Sequence, residues 1–147
     1  MLLDSRLTFA MKKYWLLKTE PETYGWVDLE RLDSDHWEGV RNYQARNYLK
    51  EMRAGDYAFF YHSGQSKEIV GLVEVLQSAY QDPTTDDKRW VSVRVRPVGQ
   101  LQQTVTLDLI KSFDQLKDMV LLKNSRLSVQ PVEENAYEII MNLSQTQ

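Results

Sequence analysis

One short segment of this 147-residue chain constrains the fold more than any other. The run Tyr57-Ala-Phe-Phe-Tyr-His62 is apolar at both odd and even positions. Successive side chains of a strand point to opposite faces of a sheet, so such a strand needs cover on both faces. The segment therefore predicts a strand inside a closed or sandwiched sheet. The run Ser63-Gly64-Gln65-Ser66 predicts the turn that ends it.

The other elements are predicted from hydrophobic period and from capping and turn residues. The alternation in Trp90–Arg96 predicts a strand with an inward set, Val91, Val93 and Val95, and an outward set, Ser92, Arg94 and Arg96. Further strands are predicted at Tyr14–Thr19, at Ile69–Leu76 continuing toward Tyr80, and at Arg126–Pro131. Helices are predicted at residues 26–33, from a cap at Asn42 to about Arg53, and at Leu107–Phe113, Gln115–Lys123 and Glu133–Leu143. This order favours an α+β fold, a small curved β-barrel of about five to six strands with flanking helices.

The length and composition predict one globular domain over residues 13–144. The chain has 42% hydrophobic and 27% charged residues and no low-complexity tract. Residues 1–12 are predicted to be a poorly ordered N-terminal extension, and residues 145–147 a tail. The chain has no Cys, which excludes disulfides, thiolate nucleophiles and cysteine metal sites.

No apolar run reaches the length of a membrane span. The first ten residues carry an early Asp4 and lack the sustained apolar core of a secretory signal. The absence of Cys also suits a reducing compartment. We therefore expect a cytoplasmic protein without a membrane partner, and the sequence leaves its oligomeric state open.

Charge is unevenly distributed along a chain whose net charge is −3. Residues 28–38 hold five acids and one Arg, whereas residues 41–53 hold four bases and one acid. Within the second stretch Arg46, Lys50 and Arg53 recur at helical spacing, which predicts a basic ridge. The net charge counts against a protein that coats nucleic acid, but it is compatible with one local basic face.

The segment Trp37–Arg46 contains groups suited to holding a nucleobase. It offers the flat ring of Trp37, the bare backbone of Gly39, the guanidinium of Arg41 and the amide of Asn42. Such groups stack on bases and hydrogen-bond to their edges. None of them does acid–base chemistry at neutral pH, so the segment indicates recognition rather than catalysis.

Each of these residues also has a structural interpretation. Trp37 could be a core or lid aromatic, which is the commoner fate of a Trp. Asn42 is first of all a helix N-cap, and it could line a pocket through its backbone. Arg41 could pair with the acidic stretch 28–38 or contact a phosphate or a base edge.

Catalytic and metal-binding interpretations have little support in the sequence. Asp33, Asp35, His36 and Glu38 are crowded in one polar stretch, which favours a solvated loop over a metal site. His62 and Ser63 are adjacent in a strand, so their side chains point to opposite faces and do not form a catalytic pair. We expect no enzyme activity, no metal and no cofactor.

Four segments resemble the EVE domain family. They are Tyr14 to Pro21, Trp37 to Arg46, Met52 to Ser63 and Asp118 to Val132. The resemblance covers about Lys13 to Leu143 in one order. It implies a PUA-like fold and a non-enzymatic reader of nucleic acid, one that holds a modified base of the 5-substituted cytosine type in an aromatic pocket. Recognition of tRNA or another structured RNA, and binding of a nucleoside-like small molecule, are the alternatives.

The resemblance, added to the residue patterns above, implies which residues form the pocket. The implied pocket set is Trp15, Lys18, Glu20, Trp37, Gly39, Val40, Arg41, Asn42, Phe60, His62, Ser63, Leu127 and Ser128. In that interpretation the strand near Leu127 and Ser128 closes the pocket opposite Trp37. The basic residues expected to guide the nucleic-acid backbone are Arg46, Lys50, Arg53, Arg94 and Arg96.

Overall fold

A computed structural model describes residues 12–145, which contain six strands, five α-helices and one 3-10 turn. The strands are β1 Tyr14–Thr19, β2 Asp35–Trp37, β3 Tyr57–His62, β4 Glu68–Gln81, β5 Val91–Thr106 and β6 Val129–Val132. The helices are α1 Trp26–Leu32, α2 Tyr43–Glu51, α3 Leu107–Lys111, α4 Val120–Lys123 and α5 Glu134–Ser144, with the 3-10 turn at Asp114–Leu116. Apart from Lys12 and Gln145, the predicted extension and tail lie outside the described residues.

All six strands form one mixed sheet with the order β2-β5-β4-β3-β1-β6. Strand β3 pairs with β4 antiparallel and with β1 parallel, and every other pair is antiparallel. This confirms the α+β class and the number of strands. Within residues 12–145 the ladder ends at β2 on one side and at β6 on the other, so hydrogen bonding does not close it into a barrel.

The prediction for β3 is confirmed, because the strand is buried on both faces. Ala58 and Phe60 pack into one hydrophobic cluster, and Phe59 and Tyr61 pack into a second cluster across the sheet. Helices α1 and α2 cover the first cluster with Trp26, Leu29, Ala45 and Leu49. Helix α5 covers the second with Ala136 and Ile140. Each face thus has its own core.

The predicted start of α2 is also confirmed. The Asn42 side-chain oxygen accepts a hydrogen bond from the Ala45 amide at 2.8 Å, which is the geometry of an N-cap. Ala45, Leu49 and Met52 are buried, and Tyr48 is partly buried against the same cluster. The cap therefore fixes where α2 begins, directly after Arg41.

Three sequence predictions are wrong. Asp35–Trp37 is a strand paired with Val93–Val95 of β5, not a solvated loop. Ser92 is fully buried rather than outward, and register shifts in the β4–β5 pair make Tyr80 its partner across the ladder. The helix predicted at Gln115–Lys123 is interrupted, since Met119 has an extended backbone.

No helix in the described part of the chain is long and apolar enough to cross a membrane.

Candidate functional site

A pocket of about 630 Å³ opens between the end of β1 and the segment that joins β2 to α2. Seven residues of the predicted pocket set line it: Lys18, Trp37, Gly39, Val40, Arg41, Asn42 and Ser128. The sequence analysis did not predict the others, namely Thr19, Thr23, Tyr24, Asp35, His36, Glu38 and Thr84. The pocket therefore lies where three of the four quoted segments meet.

Trp37 forms the apolar wall of the pocket and also belongs to the core, since only 7% of its surface is exposed. The ring of Phe60 meets it at 5.6 Å between centroids and 84°, and Tyr24 meets it at 6.1 Å and 84°. Edge-to-face contacts of this kind are favourable and hold an indole in one orientation. Trp37 thus presents a fixed surface to the pocket.

Two hydrogen-bonded pairs form a polar wall beside Trp37. The Tyr24 hydroxyl donates to Asp35 Oδ2 at 2.8 Å, and burial together with this bond raises the pKa of Tyr24. The His36 Nδ1 atom lies 2.6 Å from the Tyr80 hydroxyl oxygen. Because Tyr24 keeps its proton at neutral pH, it holds Asp35 in place and leaves the carboxylate as a hydrogen-bond acceptor at the pocket.

Asp82 organises the mouth of the pocket, although it lies outside the lining and is fully buried. Its Oδ2 atom accepts from the Gly39 amide at 2.8 Å and from Arg41 Nη1 at 3.0 Å. Its Oδ1 atom accepts from the amide and hydroxyl of Thr84, at 2.7 and 2.6 Å. Burial alone would raise the pKa of Asp82, but these bonds outweigh it and lower the pKa to about 2. One ionised carboxylate therefore joins the loop after β4 to the segment before α2.

Arg41 consequently does not pair with the acidic stretch 28–38. Its Nη2 atom donates to Thr84 Oγ1 at 3.1 Å, and its guanidinium lies 5.4 Å from the centre of the Trp90 ring. These contacts hold the exposed guanidinium at the pocket mouth. Gly39, with φ +80°, adopts a backbone conformation that favours glycine at the turn from β2.

Lys18 and Ser128 form the opposite side of the pocket. The Lys18 amide donates to the Ser128 carbonyl at 2.9 Å, which extends the β1–β6 pairing. The Lys18 ammonium donates to the Ser125 carbonyl at 2.6 Å, and burial lowers the pKa of this side chain. The first and last of the quoted segments therefore meet here.

Six residues of the predicted pocket set do not line the pocket: Trp15, Glu20, Phe60, His62, Ser63 and Leu127. Phe60 packs behind Trp37, and Leu127 is buried in the same cluster. Trp15 is a core residue whose indole N–H donates to Asp56 at 3.0 Å. It lines a separate cavity of about 670 Å³ at the other end of β1, where no other residue of the set lies.

Glu20, His62 and Ser63 hold the chain around the start of α1. The Glu20 carbonyl accepts from the Tyr24 amide at 2.9 Å, and the Ser63 amide donates to the Thr19 carbonyl at 2.9 Å. His62 Nε2 accepts from the Trp26 amide at 3.2 Å. That bond requires a ring nitrogen without a proton, so His62 is neutral here.

The state of His62 predicts a pH-dependent stability. Burial lowers its pKa below the ordinary 6.5, and this outweighs the opposing effects of Glu68 and Glu22. The unfolded chain therefore takes up the proton first, so the stabilisation by His62 is complete above pH 6.5 and declines as the pH falls. We expect the free energy of unfolding of the wild type to decline relative to that of His62→Gln between about pH 7 and 5. Urea unfolding across this range measures the difference; parallel curves would contradict it.

The predicted backbone-binding residues are not equivalent in the structure. Lys50 and Arg53 are exposed, whereas Arg46 is half-buried and donates to Asn47 and to the Arg89 carbonyl. The two arginines of β5 have partners of their own. Arg94 donates to Ser34 at 2.9 Å, and Arg96 forms a 2.6 Å ion pair with Glu74.

Thr84, which lines the pocket, and Asp82, which holds its mouth, come from a segment that the sequence analysis did not connect with the pocket. Asp82 and Thr84 contact a segment that lies 41 to 43 positions earlier in the chain. The run Asp82-Pro-Thr indicates a turn, but nothing local in it indicates the contact with Gly39.

Among residues 12–145 there is no group of three or more His, Asp or Glu side chains placed to hold a metal ion.

The sequence and the fold of this chain are similar to those of known proteins. Mouse thymocyte nuclear protein 1 is 34% identical over 171 aligned positions, which cover 93% of this chain and 76% of the mouse protein. A crystal structure from Agrobacterium tumefaciens has 39% identity and a TM-score of 0.89, covering 90% of this chain and 93% of the other. Human thymocyte nuclear protein 1, solved in complex with DNA containing 5-methylcytosine, has 32% identity and a TM-score of 0.83, covering 92% of this chain and 99% of the human one.

These relatives share the PUA-like fold of the chain over nearly its whole described length. A sequence profile of the EVE domain matches residues 13–143, which include all six strands and every residue that lines the pocket. The chain belongs to the EVE domain family.

Proposed function

We propose that this protein binds nucleic acid without catalysis and holds one modified base, of the 5-substituted cytosine type, in the Trp37 pocket. The observation that carries the proposal is the pocket itself. A fixed aromatic wall, a carboxylate acceptor and cationic donors converge on about 630 Å³, in a fold shared with a human relative solved with 5-methylcytosine DNA. Pockets of this volume are typical of small-ligand sites.

The polar groups suit the edge of a cytosine. Its exocyclic amine donates hydrogen bonds, which the carboxylates of Asp35 and Glu38 can accept. Its ring nitrogen and its carbonyl oxygen accept hydrogen bonds, which Lys18 and Arg41 can donate. A 5-methyl group would add apolar contact with the Trp37 wall. A base enters such a pocket only from a single strand or by flipping out of a duplex.

We propose no catalytic step at this site. In the described part of the pocket, His36 is hydrogen-bonded to Tyr80, Asp35 to Tyr24 and Thr84 to the buried Asp82, so each of these groups is already held by a neighbour. The groups are arranged to hold a ligand rather than to move a proton.

The test is a fluorescence-anisotropy titration at low salt. The probes are single strands and duplexes of DNA and RNA that carry cytosine, 5-modified cytosines or N6-methyladenine, with free nucleosides as competitors. We expect tighter binding to the 5-modified cytosine probes than to their unmodified partners. Equal or absent binding to every probe would refute the proposal. Tight binding of the free nucleoside would indicate a small-molecule site, and preference for the RNA probes over the DNA probes would indicate an RNA-binding role.

Trp37→Leu is the informative variant, because it keeps an apolar side chain and removes the ring. Contact between a base and an aromatic ring contributes roughly 1–3 kcal/mol, so we expect the affinity for the 5-modified cytosine probes to fall about tenfold or more. Trp26→Leu is the matched control, since Trp26 is equally buried against Phe60 but does not line the pocket. The proposal fails if both variants lower the affinity for these probes equally.

A further inference from the structure

Beside the pocket mouth lies a second surface, made by two aromatic rings and three arginines. Tyr43, the first residue of α2, is 52% exposed, and its ring lies 5.1 Å from the buried ring of Trp90 at 30°. A large aromatic side chain this exposed is available to a partner. We call this surface the Tyr43 platform; its members are Arg41, Tyr43, Arg46, Arg89 and Trp90.

The arginines are held against the rings. The guanidinium carbons of Arg41 and Arg89 lie 5.4 and 5.8 Å from the Trp90 ring, and that of Arg46 lies 5.1 Å from the Tyr43 ring. Arg89 also donates to the Tyr43 hydroxyl at 2.9 Å. Such contacts keep planar cations in fixed positions, which lowers the entropy cost of using them in binding.

The charge of the platform is positive, and it is concentrated on Arg46. Arg41 is paired with Asp82 and Arg89 with Asp87, at 3.0 and 2.6 Å. Within the described residues Arg46 forms no ion pair and donates only to Asn47 and to the Arg89 carbonyl. Arg46 is therefore the cation on this surface with charge to offer an anion.

The platform is continuous with the pocket. Arg41 and Asn42 line the pocket, and Tyr43 is the next residue of the chain. Lys50 lies at the other end of α2, roughly 10 Å farther along the helix axis at 1.5 Å per residue. A strand leaving the pocket mouth thus meets Tyr43 and Arg46 before it meets the remainder of the basic ridge.

We infer that the Tyr43 platform binds the nucleotide next to the base held in the pocket. The Tyr43 ring contacts the neighbouring base, and Arg46 contacts the phosphate. This inference rests on the proposed function for the identity of the polymer, but it concerns contacts that do not depend on modification. Stacking of this kind tolerates any base, and phosphate contacts carry no sequence information.

Two properties of binding separate the platform from the pocket. Arg46→Gln is expected to reduce the slope of log K against log salt by about 0.7 for a single strand, whereas Tyr43→Ala leaves the slope unchanged and lowers affinity about tenfold. Both variants are expected to act equally on modified and unmodified strands, so the preference ratio stays at the wild-type value. Tyr43→Phe and Arg46→Lys are expected to retain wild-type binding and slope. The control pair Lys50→Gln and Arg53→Gln lowers affinity less than Arg46→Gln.

The outcomes are distinct. If wild type shows no preference among probes but Tyr43→Ala and Arg46→Gln weaken strand binding as stated, the pocket proposal fails and the platform stands. If the preference holds but these variants bind like wild type, or if they change the preference ratio, the platform is overturned. The platform is also overturned if the wild type binds no strand. It is overturned as well if Tyr43→Ala weakens binding to a protein ligand and leaves strand binding unchanged.

Discussion

Replacing Asp82 with Asn is expected to lower the free energy of unfolding by about 3 kcal/mol and to weaken binding at the pocket. Both carboxylate oxygens accept from donors, two each from Thr84 and from the Gly39–Arg41 segment. An amide would turn an N–H group toward two of these donors. A buried donor that loses its partner costs about 1–3 kcal/mol. The mouth of the pocket would then keep the Arg41–Thr84 bond to the loop after β4 but lose part of the Asp82 network that joins the two.

Acid titration provides a second measurement of the same residue. The pKa of Asp82 is lowered from 3.8 to about 2 in the folded protein, so the unfolded chain takes up the proton first as the pH falls. The stabilisation is present above 3.8 and is lost as the pH approaches 2. The difference in unfolding free energy between wild type and Asp82→Asn should therefore shrink over that interval.

Two variants control the Asp82 experiment. Thr84→Val removes one of the four hydrogen bonds to Asp82, together with the exposed Arg41 bond to the same hydroxyl, and should cost about 1 kcal/mol. Asp87→Asn removes a half-buried carboxylate whose pKa is also lowered, by Arg89, and should leave the preference for 5-modified cytosine unaffected. Urea unfolding and the 5-modified cytosine titration are measured on each protein. Wild-type stability and affinity in Asp82→Asn would show that the mouth does not depend on this carboxylate.

Gly71→Ala is expected to cost about 3 kcal/mol or more in folding free energy. A Cβ atom at Gly71 would lie within 2.6 Å of three ring atoms of Trp26, which is closer than real side chains approach. Trp26 is buried and packs edge-on against Phe60, so the ring cannot move without shifting α1. The consequence extends to the pocket, because Tyr24 lies just before this helix.

The steric origin of that effect can be checked directly. Gly99→Ala is the matched control, since it also lies in a long strand and a Cβ there meets nothing within 4 Å. Its cost should stay below about 1 kcal/mol. The double variant Gly71→Ala with Trp26→Leu should cost less than the sum of its parts, because removing the ring relieves the clash. Strict additivity in urea unfolding would contradict the steric account.

Local patterns in the sequence predicted the parts of this fold that depend on local physics. The apolar run of β3 requires cover on both faces, and Asn42 caps α2 through a bond that spans three residues. Such features depend on neighbours in the chain. The family resemblance then brought Lys18, Trp37 and Ser128 together, which no periodicity could do.

The parts that were missed depend on contacts between distant segments. β2 has three residues, and it is a strand because β5 offers it a partner. Ser92 is buried because of register shifts between β4 and β5, which alternation within one strand does not encode. In the sequence, Asp82 is one of several acids in an acidic loop, and only the folded chain places Gly39 and Arg41 within hydrogen-bond distance of it.

The parallel pairing of β1 with β3 has a consequence for ligand capture. Two parallel neighbours need a long crossover between them, and here that crossover contains α1, β2 and α2. The same stretch provides Tyr24, Trp37 and Arg41. The backbone of these residues is therefore ordered when the sheet assembles, whether or not a ligand is present. A preorganised surface of this kind spares an incoming ligand most of the entropy loss that a flexible binding loop would impose.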